Sequence, residues 1–319
     1  MHSSINHKVS YNLEDFKLMR VIYNGSLGVI KIALHEPSET PVVLKIISKY
    51  TVVSRSKTEF VMRERNILKQ IKSPFIVRLL GTFQDIEHLY MVEEFLQGGD
   101  LFRLLKNMRT FPLDLARFYT AEIVCAINHL HCRGVIYRGL KPENLALDQE
   151  GHIRLVDFGM SKRLKDEEKT YTLCGTPDYL PPEIILATGH NESADWWTVG
   201  IFLFEIITGK PPFIDKTPVG LYEKILNSSI NFTKITDPVA ENLLTKLLVK
   251  NPIERINAFD LKKHEFFSQY EWRFVEKKKI TPPYVPEITS SLDSSNFPFV
   301  ECTQATQPFV ENVDLFPGF

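Results

Sequence analysis

The chain has 319 residues, 44% of them hydrophobic, and a formal net charge of -1 at pH 7. That length can bury a sizeable core as one large or two closely packed domains, and near-neutrality leaves no global field to draw nucleic acid or a membrane surface. The 4 cysteines, Cys125, Cys132, Cys174 and Cys302, show no CxxC or Cys/His spacing, which argues against a zinc site and for reduced thiols in a cytoplasmic protein, with the nucleus as a further location.

The start, MHSSINHKVSYNLEDF, lacks a basic segment followed by an apolar run, so no secretory leader is expected. His2 removes N-myristoylation, and no run approaches the ~18 apolar residues that would span a membrane. From 16 to 43, short Val-, Ile- and Leu-rich runs broken by turns predict strands. The first turn reads Val21-Ile22-Tyr23-Asn24-Gly25-Ser26-Leu27-Gly28-Val29. Its two glycines would let backbone amides approach phosphate oxygens with no Cβ in the way. Taken alone, an ordinary Gly-rich hairpin turn reads the same.

The strand-like run 41–47 sets Lys45 among apolar neighbours, and a buried ammonium calls for an anionic partner. A helical run from about 57 to 71 offers Glu64 beside Ile67, Leu68 and Ile71 at helical spacing. Arg63 and Arg65 flank it, so a solvated carboxylate is the plain alternative. His88-Leu89-Tyr90-Met91-Val92 reads as a buried strand, leading through Glu93-Glu94-Phe95-Leu96 to the break at Gly98-Gly99. Long amphipathic helices follow, among them 115–132, where Cys125 and Cys132 pack as small apolar groups.

Residues 135–159, VIYRGLKPENLALDQEGHIRLVDFG, carry the densest chemistry. The amide oxygen of Asn144 and the carboxylate of Asp157 are hard oxygen ligands of the kind that magnesium takes alongside phosphate oxygens. Lys141 can neutralise a phosphoryl group in transfer. A polar, Lys/Glu-rich stretch from 162 ends in Thr170-Tyr171-Thr172-Leu173-Cys174-Gly175-Thr176-Pro177, and Asp195-Trp196-Trp197 opens a further helix. Beyond Phe267 the chain turns Pro- and Ser-rich, a composition that predicts a disordered tail. The end, Asp314-Leu315-Phe316-Pro317-Gly318-Phe319, breaks that pattern with two spaced aromatics.

In this order and at these spacings the motifs resemble those of protein kinases over about residues 14–319. The tail is similar to that of the AGC kinases, and its end is most like that of the cyclic-AMP-dependent type. The resemblance implies an α+β, two-lobed kinase fold, with a small β-rich lobe carrying one main helix, a large mainly helical lobe and an AGC tail. Its boundaries would be an N-terminal extension at 1–15, a kinase domain at 16–267 (lobes about 16–94 and about 95–267) and the tail at 268–319.

It also implies ATP and Mg²⁺ as cofactors. Ile22, Gly25, Ser26, Gly28, Val29 and Ile30 would cover the nucleotide, Lys45 with Glu64 would hold the α- and β-phosphates, and backbone groups of Glu94 and Leu96 would meet adenine. Asn144 and Asp157 would take the metal. Thr172 matches the activation-loop phosphosite, with Arg138 and Lys162 placed to receive its phosphate. Asp100, Glu143 and Glu205, with Thr176, stand where basophilic kinases hold a substrate with arginines before the target hydroxyl. The implied partners are a basic Ser/Thr protein substrate and a cyclic-nucleotide-binding regulatory subunit. Asp195 would brace the catalytic-loop backbone, and Arg255 would pair with Glu183.

This sequence departs from the family at several positions. Tyr23 replaces the first glycine of GxGxxG, Phe60 replaces a helix-C histidine, and Pro181-Pro182-Glu183 replaces Ala-Pro-Glu. Glu93 falls at the gatekeeper position, where a carboxylate is costly unless hydrogen-bonded. The catalytic set is Lys141, Asn144 and the position of Gly139, where the family has the catalytic Asp. A positioned acid–base group contributes ~10²–10⁴ in rate, so losing it should cripple turnover without erasing it. Glycine should also loosen the loop that places Asn144. Two functions stay open: an impaired Ser/Thr kinase, or a pseudokinase scaffold that binds ATP or a regulatory subunit without turnover.

Overall fold

A computed structural model describes residues 11–165, 168–301 and 315–319. The first ten residues, Cys302 and Asp314 lie outside them. Contacts divide the described residues into two units. The smaller takes those up to Gln70, Val77–Phe95 and those from Thr289 on; the larger takes Ile71–Ile76 and Leu96–Ile288.

The smaller unit is built on a five-stranded antiparallel sheet in the order β1-β2-β3-β5-β4. Its strands are β1 (Phe16–Asn24), β2 (Gly28–His35), β3 (Thr40–Ser48), β4 (Leu79–Gln84) and β5 (His88–Glu94). Alternation decides what each face does. Val42 and Leu44 point into a core with Phe16, Ala33 and Val92, against which Ile46, Leu80 and Phe83 pack. Lys45, one residue out of phase, therefore faces the other side.

Two helices follow β3. α1 (Lys49–Ser54) is capped by Ser48, whose side chain accepts from Thr51 N–H. α2 (Thr58–Gln70) buries Val61, Glu64, Arg65 and Leu68, an i, i+3, i+4, i+7 stripe, so Glu64 sits on the inward face of the helix. The end of the chain is anchored on this unit. Phe316 is buried, its carbonyl accepts from Gln84 Nε2 at 3.3 Å, and Arg65 donates to Pro317 O at 3.1 Å.

The larger unit is mainly helical. α3 (Leu101–Met108) is N-capped by Asp100. α4 (Leu113–His131) and a later helix, Ser193–Thr208, are buried almost all round, so the amphipathic pattern expected near 115–132 becomes a central core helix. Short strands hold the loops between them: β6 (Val135–Ile136) pairs with β9 (Lys162–Arg163), and β7 (Leu145–Leu147) pairs with β8 (Ile153–Leu155). α5 (Pro182–Ile185) then leads to the second core helix, α6, which ends at Gly209 with φ 80° in the left-handed region that favours glycine. α7 (Pro218–Asn227) and α8 (Pro238–Leu247) start alike, with Thr217 or Asp237 as the cap and proline in the first turn.

The Pro- and Ser-rich stretch after Phe267 differs from the disorder its composition predicts, because specific anchors hold it. Lys278 Nζ reaches Asp148 Oδ2 at 2.7 Å, with both side chains largely buried. Gly151 has φ 94°, and a Cβ there would lie 2.0 Å from Tyr284 O, so that backbone passes directly over the β7–β8 hairpin.

One buried ion pair ties the helical unit together. Arg255 meets both carboxylate oxygens of Glu183 at 2.7 and 3.0 Å and also donates to Ser193 O and Val249 O. Removing one partner of such a pair costs about 3–5 kcal/mol, because the other charge stays buried. Glu183→Ala should therefore lower the unfolding free energy of this unit, read by urea titration, by that amount, with Glu183→Gln milder. All 3 tryptophans, Trp196, Trp197 and Trp272, lie in it, so their fluorescence reads the change.

Candidate active site

In the smaller unit, the β1–β2 turn is closed by Gly25 N–H to Gly28 O at 2.9 Å, and Leu27 O accepts from Ser48 N–H at 3.0 Å. A Cβ on Gly28 would lie 1.9 Å from Ile46 O, so this position excludes every larger residue. Tyr23 is 57% exposed, and its ring edge lies 2.8 Å from where a Gly25 Cβ would be, so the residue replacing the expected glycine covers the turn from outside. Ser26 is exposed at the tip, Val29 is buried, and Ile22 and Ile30 are half-buried on the strands either side.

Lys45 Nζ meets Glu64 Oε1 at 2.6 Å, with the Glu64 side chain 4% exposed. Strand phase and helix stripe converge on that contact, and the solvated alternative for Glu64 is overturned. Glu93 is half-buried on β5, in register with Val43 and Leu79. Glu94 closes the strand with its own N–H on Arg78 O at 3.0 Å and its carboxylate on Arg78 N–H at 2.8 Å. Leu96 belongs to the other unit and is buried.

The larger unit holds the catalytic stretch. Asp195, at the start of α6 and fully buried, accepts from Tyr137 N–H at 2.9 Å and Arg138 N–H at 2.8 Å, and pairs with His131 Nε2 at 2.7 Å. Tyr137 is buried too and donates its hydroxyl to Val156 O. Asn144 Nδ2 donates to Gly139 O at 2.7 Å. The loop backbone is thus fixed at Gly139 by its carbonyl, against the loosening expected of glycine. A Cβ at Gly139 would meet Tyr137 Cζ at 3.4 Å, Asn144 Nδ2 at 3.5 Å and Asp157 O at 3.6 Å, all ordinary contacts. The first side-chain carbon of an aspartate fits there without rearrangement.

Asp157 follows β8 with φ 57°, a left-handed conformation that aspartate tolerates better than most residues. Phe158 is buried against the Tyr137 ring at 5.2 Å, while Asp157 itself is exposed. Gly139, Lys141, Asn144, Asp157 and Thr176 line one cavity of about 140 Å³. Among the described residues no group of three or more His, Cys, Asp or Glu is placed to hold a metal. Asn144 and Asp157 alone would be a poor cage, but the donor set suits an ion that takes its other oxygens from phosphate and water.

The expected phosphosite and its expected receivers lie around the β6–β9 pair. Thr172 is exposed, and Lys162 Nζ reaches Thr170 Oγ1 at 3.2 Å, with Thr170 Oγ1 3.5 Å from Thr172 Oγ1. Arg138 donates from Nε to Met160 O at 2.8 Å and lies 3.4 Å from His190 Nε2. His190 pairs through its backbone with Thr170, and nothing in the sequence marked it.

The three acidic residues also come together. Burial, then the field of Glu143, raises the Asp100 carboxyl above its usual range while its side chain caps α3. Burial raises Glu205 too, with Glu143 adding, and Glu205 accepts from the Tyr179 hydroxyl. Glu143 is exposed. Tyr179 is a further partner that the sequence did not signal.

The protein kinase domain family matches residues 16–267. The chain belongs to this family. It is 40% identical over 314 residues to the cAMP-dependent protein kinase catalytic subunit PRKX of Mus musculus, covering 97% of this chain and 88% of that one. It is 39% identical over 292 residues to the cAMP-dependent protein kinase catalytic subunit 3 of Drosophila melanogaster, covering 90% of this chain and 50% of that one. It is 42% identical over 308 residues to the serine/threonine protein kinase ypkA of Aspergillus fumigatus, covering 95% and 48%. The chain thus spans about half the length of the last two.

His190 provides a test of this corner of the kinase domain. Burial, then the Arg138 charge, lowers its imidazole from 6.5 to about 4. The unfolded chain therefore takes up that proton first, and the ring's contribution to stability, full above 6.5, is lost as pH falls towards about 4. His190→Gln should flatten the fall of the urea midpoint across this window relative to wild type. An unchanged slope would mean that the ring is already charged in the folded state.

Proposed function

We propose that the chain is a serine/threonine protein kinase of AGC, cyclic-AMP-dependent type, using ATP and Mg²⁺, whose turnover is held down by Gly139. The observation that carries the reading is the catalytic loop. Asp195 holds its backbone, Asn144 is bonded to Gly139 O at 2.7 Å, and a Cβ at Gly139 would make only ordinary contacts. These loop contacts are in place, and the carboxylate that the resemblance implies at 139 is missing.

Each unit contributes to the reaction through its own residues. Lys45, oriented by Glu64, supplies a fixed cation for the α- and β-phosphates. Asn144, its nitrogen engaged with Gly139 O, offers its oxygen as a metal ligand, and Asp157 offers an exposed carboxylate. Bound Mg²⁺ would neutralise charge on the phosphate oxygens. Lys141 lies beside these groups and stabilises the phosphoryl group in transfer. Phosphoryl transfer depends mostly on positioning and charge, so these residues sustain slow turnover where the proton acceptor is absent.

Asp100, Glu143 and Glu205 support a substrate with arginines before the target hydroxyl, since guanidinium groups pair with carboxylates by charge-assisted bonds. The same acids would take a pseudosubstrate segment of a cyclic-nucleotide-binding regulatory subunit. A phosphate on Thr172 would find Lys162 close by, and Arg138 follows β6, the strand that pairs with the one carrying Lys162. The second reading, a pseudokinase scaffold, rests on Gly139 itself and on Tyr23 covering the turn.

Phosphate transfer from ATP–Mg²⁺ to an Arg-Arg-x-Ser peptide decides between them. Wild type should turn over slowly, Gly139→Asp should raise the rate by ~10²–10⁴, and Asp157→Ala should abolish it. Nucleotide bound without turnover in Gly139→Asp would overturn the enzyme reading in favour of the scaffold.

A further inference from the structure

We infer that the space beside Gly139 is a binding site for a small carboxylate, which acts there as the proton acceptor that the chain itself lacks. The inference rests on the kinase reading above.

The cavity lined by Gly139, Lys141, Asn144, Asp157 and Thr176 measures about 140 Å³, roughly ten times the ~10–15 Å³ that one water requires. Gly139 is part of its lining, and a Cβ there would make only ordinary contacts, at 3.4–3.6 Å. A carboxylate entering from solvent would occupy the volume of the missing side chain. The walls are already fixed, through Asp195 on the backbone of Tyr137 and Arg138 and through Asn144 on Gly139 O, so binding would order the ligand alone.

Charge permits this. Lys141 and Arg138 line the cavity as cations, Asp157 and Asp195 as anions. Asp195 is already engaged with two amides and His131, and Asp157 is the proposed metal ligand, so the negative charges facing an entering anion are largely spoken for.

The step balances without another reagent. A carboxylate oxygen takes the proton of the substrate hydroxyl as the hydroxyl oxygen bonds to the γ-phosphorus. The bond from that phosphorus to the β,γ-bridging oxygen breaks, and ADP leaves with the electron pair. The carboxylic acid then returns its proton to water. The carboxylate could be a free small acid or a Glu side chain of the substrate next to the target hydroxyl.

Initial rates on an Arg-Arg-x-Ser peptide, with formate replacing chloride at constant ionic strength, test the free acid. A second peptide, with Glu after the target Ser and no formate, tests the substrate's own carboxylate. Line broadening of ¹³C-formate by the protein without peptide reads binding apart from activity. Wild type should broaden formate saturably and gain about 10-fold or more in rate, part of the ~10²–10⁴ a positioned base supplies. Gly139→Asp should do neither, because its own carboxylate would take the position of the proton acceptor. A gain with the Glu peptide alone would assign the carboxylate to the substrate. No broadening and no gain from either source, or an equal response in Gly139→Asp, overturns the inference. If Gly139→Asp is active in that case, the kinase reading stands; if it too is inactive, that reading falls with it.

Discussion

The carboxylate of Asp195 is the contact on which the chemistry of the larger unit hangs. It accepts from two successive backbone amides, Tyr137 and Arg138, and pairs with His131. No regular ladder could satisfy those amides, because Arg138 has φ 59° and the chain turns out of β6 at that point. A non-glycine residue in this region carries strain of about 1–3 kcal/mol. Two charge-assisted hydrogen bonds in a dry site are of the right size to offset it. Asp195 sits at the start of α6, a helix buried on nearly every side, so the anchor is as rigid as the core. From it the order spreads to Asn144 through Gly139 O and to Val156 through the Tyr137 hydroxyl.

A second pattern is the use of buried ion pairs for placement. Lys45–Glu64 and Arg255–Glu183 each set a charge into a low-dielectric site, where such a pair adds little net stability over apolar packing. They contribute geometry. Glu64 fixes which way the Lys45 ammonium points. Arg255 spans Glu183, Ser193 and Val249, joining segments far apart in sequence, and stacks over Trp197 at 5.3 Å.

The Lys45–Glu64 pair was half legible, because periodicity set up its two members, while the pairing itself and that of Arg255 with Glu183 came from the resemblance to the kinases. Lys45 breaks an apolar strand, Glu64 falls on a helical stripe, and each residue needs what the other has. What could not be read joins segments with no periodic relation. His190 against Arg138, Tyr179 on Glu205 and Lys278 on Asp148 are contacts across 52, 26 and 130 residues, each with a loop or a short turn on at least one side. The disorder expected for 268–301 was overturned for the same reason. That segment's composition lacks a stripe of its own, yet it is ordered by surfaces that other segments present, such as Gly151 beneath Tyr284 O. The all-round burial of α4 and α6 was equally hidden, because a stripe pattern tells which face packs first and not how many neighbours arrive.

Gly139 shows how separable placement and chemistry are in this loop. Its neighbours are held by their own bonds: Tyr137 and Arg138 by Asp195, Asn144 by its amide on a carbonyl, and the segment leading to Asp157 by the Tyr137 hydroxyl on Val156. None of these bonds uses the side chain at 139, and the φ of Gly139 lies outside the left-handed region where only glycine is comfortable. On the proposed reading, lacking a carboxylate here costs a proton acceptor and leaves the frame as it is. The reverse case is Gly28, where a Cβ would lie 1.9 Å from Ile46 O and the frame itself would have to move. One glycine is dictated by geometry and the other is not, and only the second leaves chemistry open to be supplied from outside.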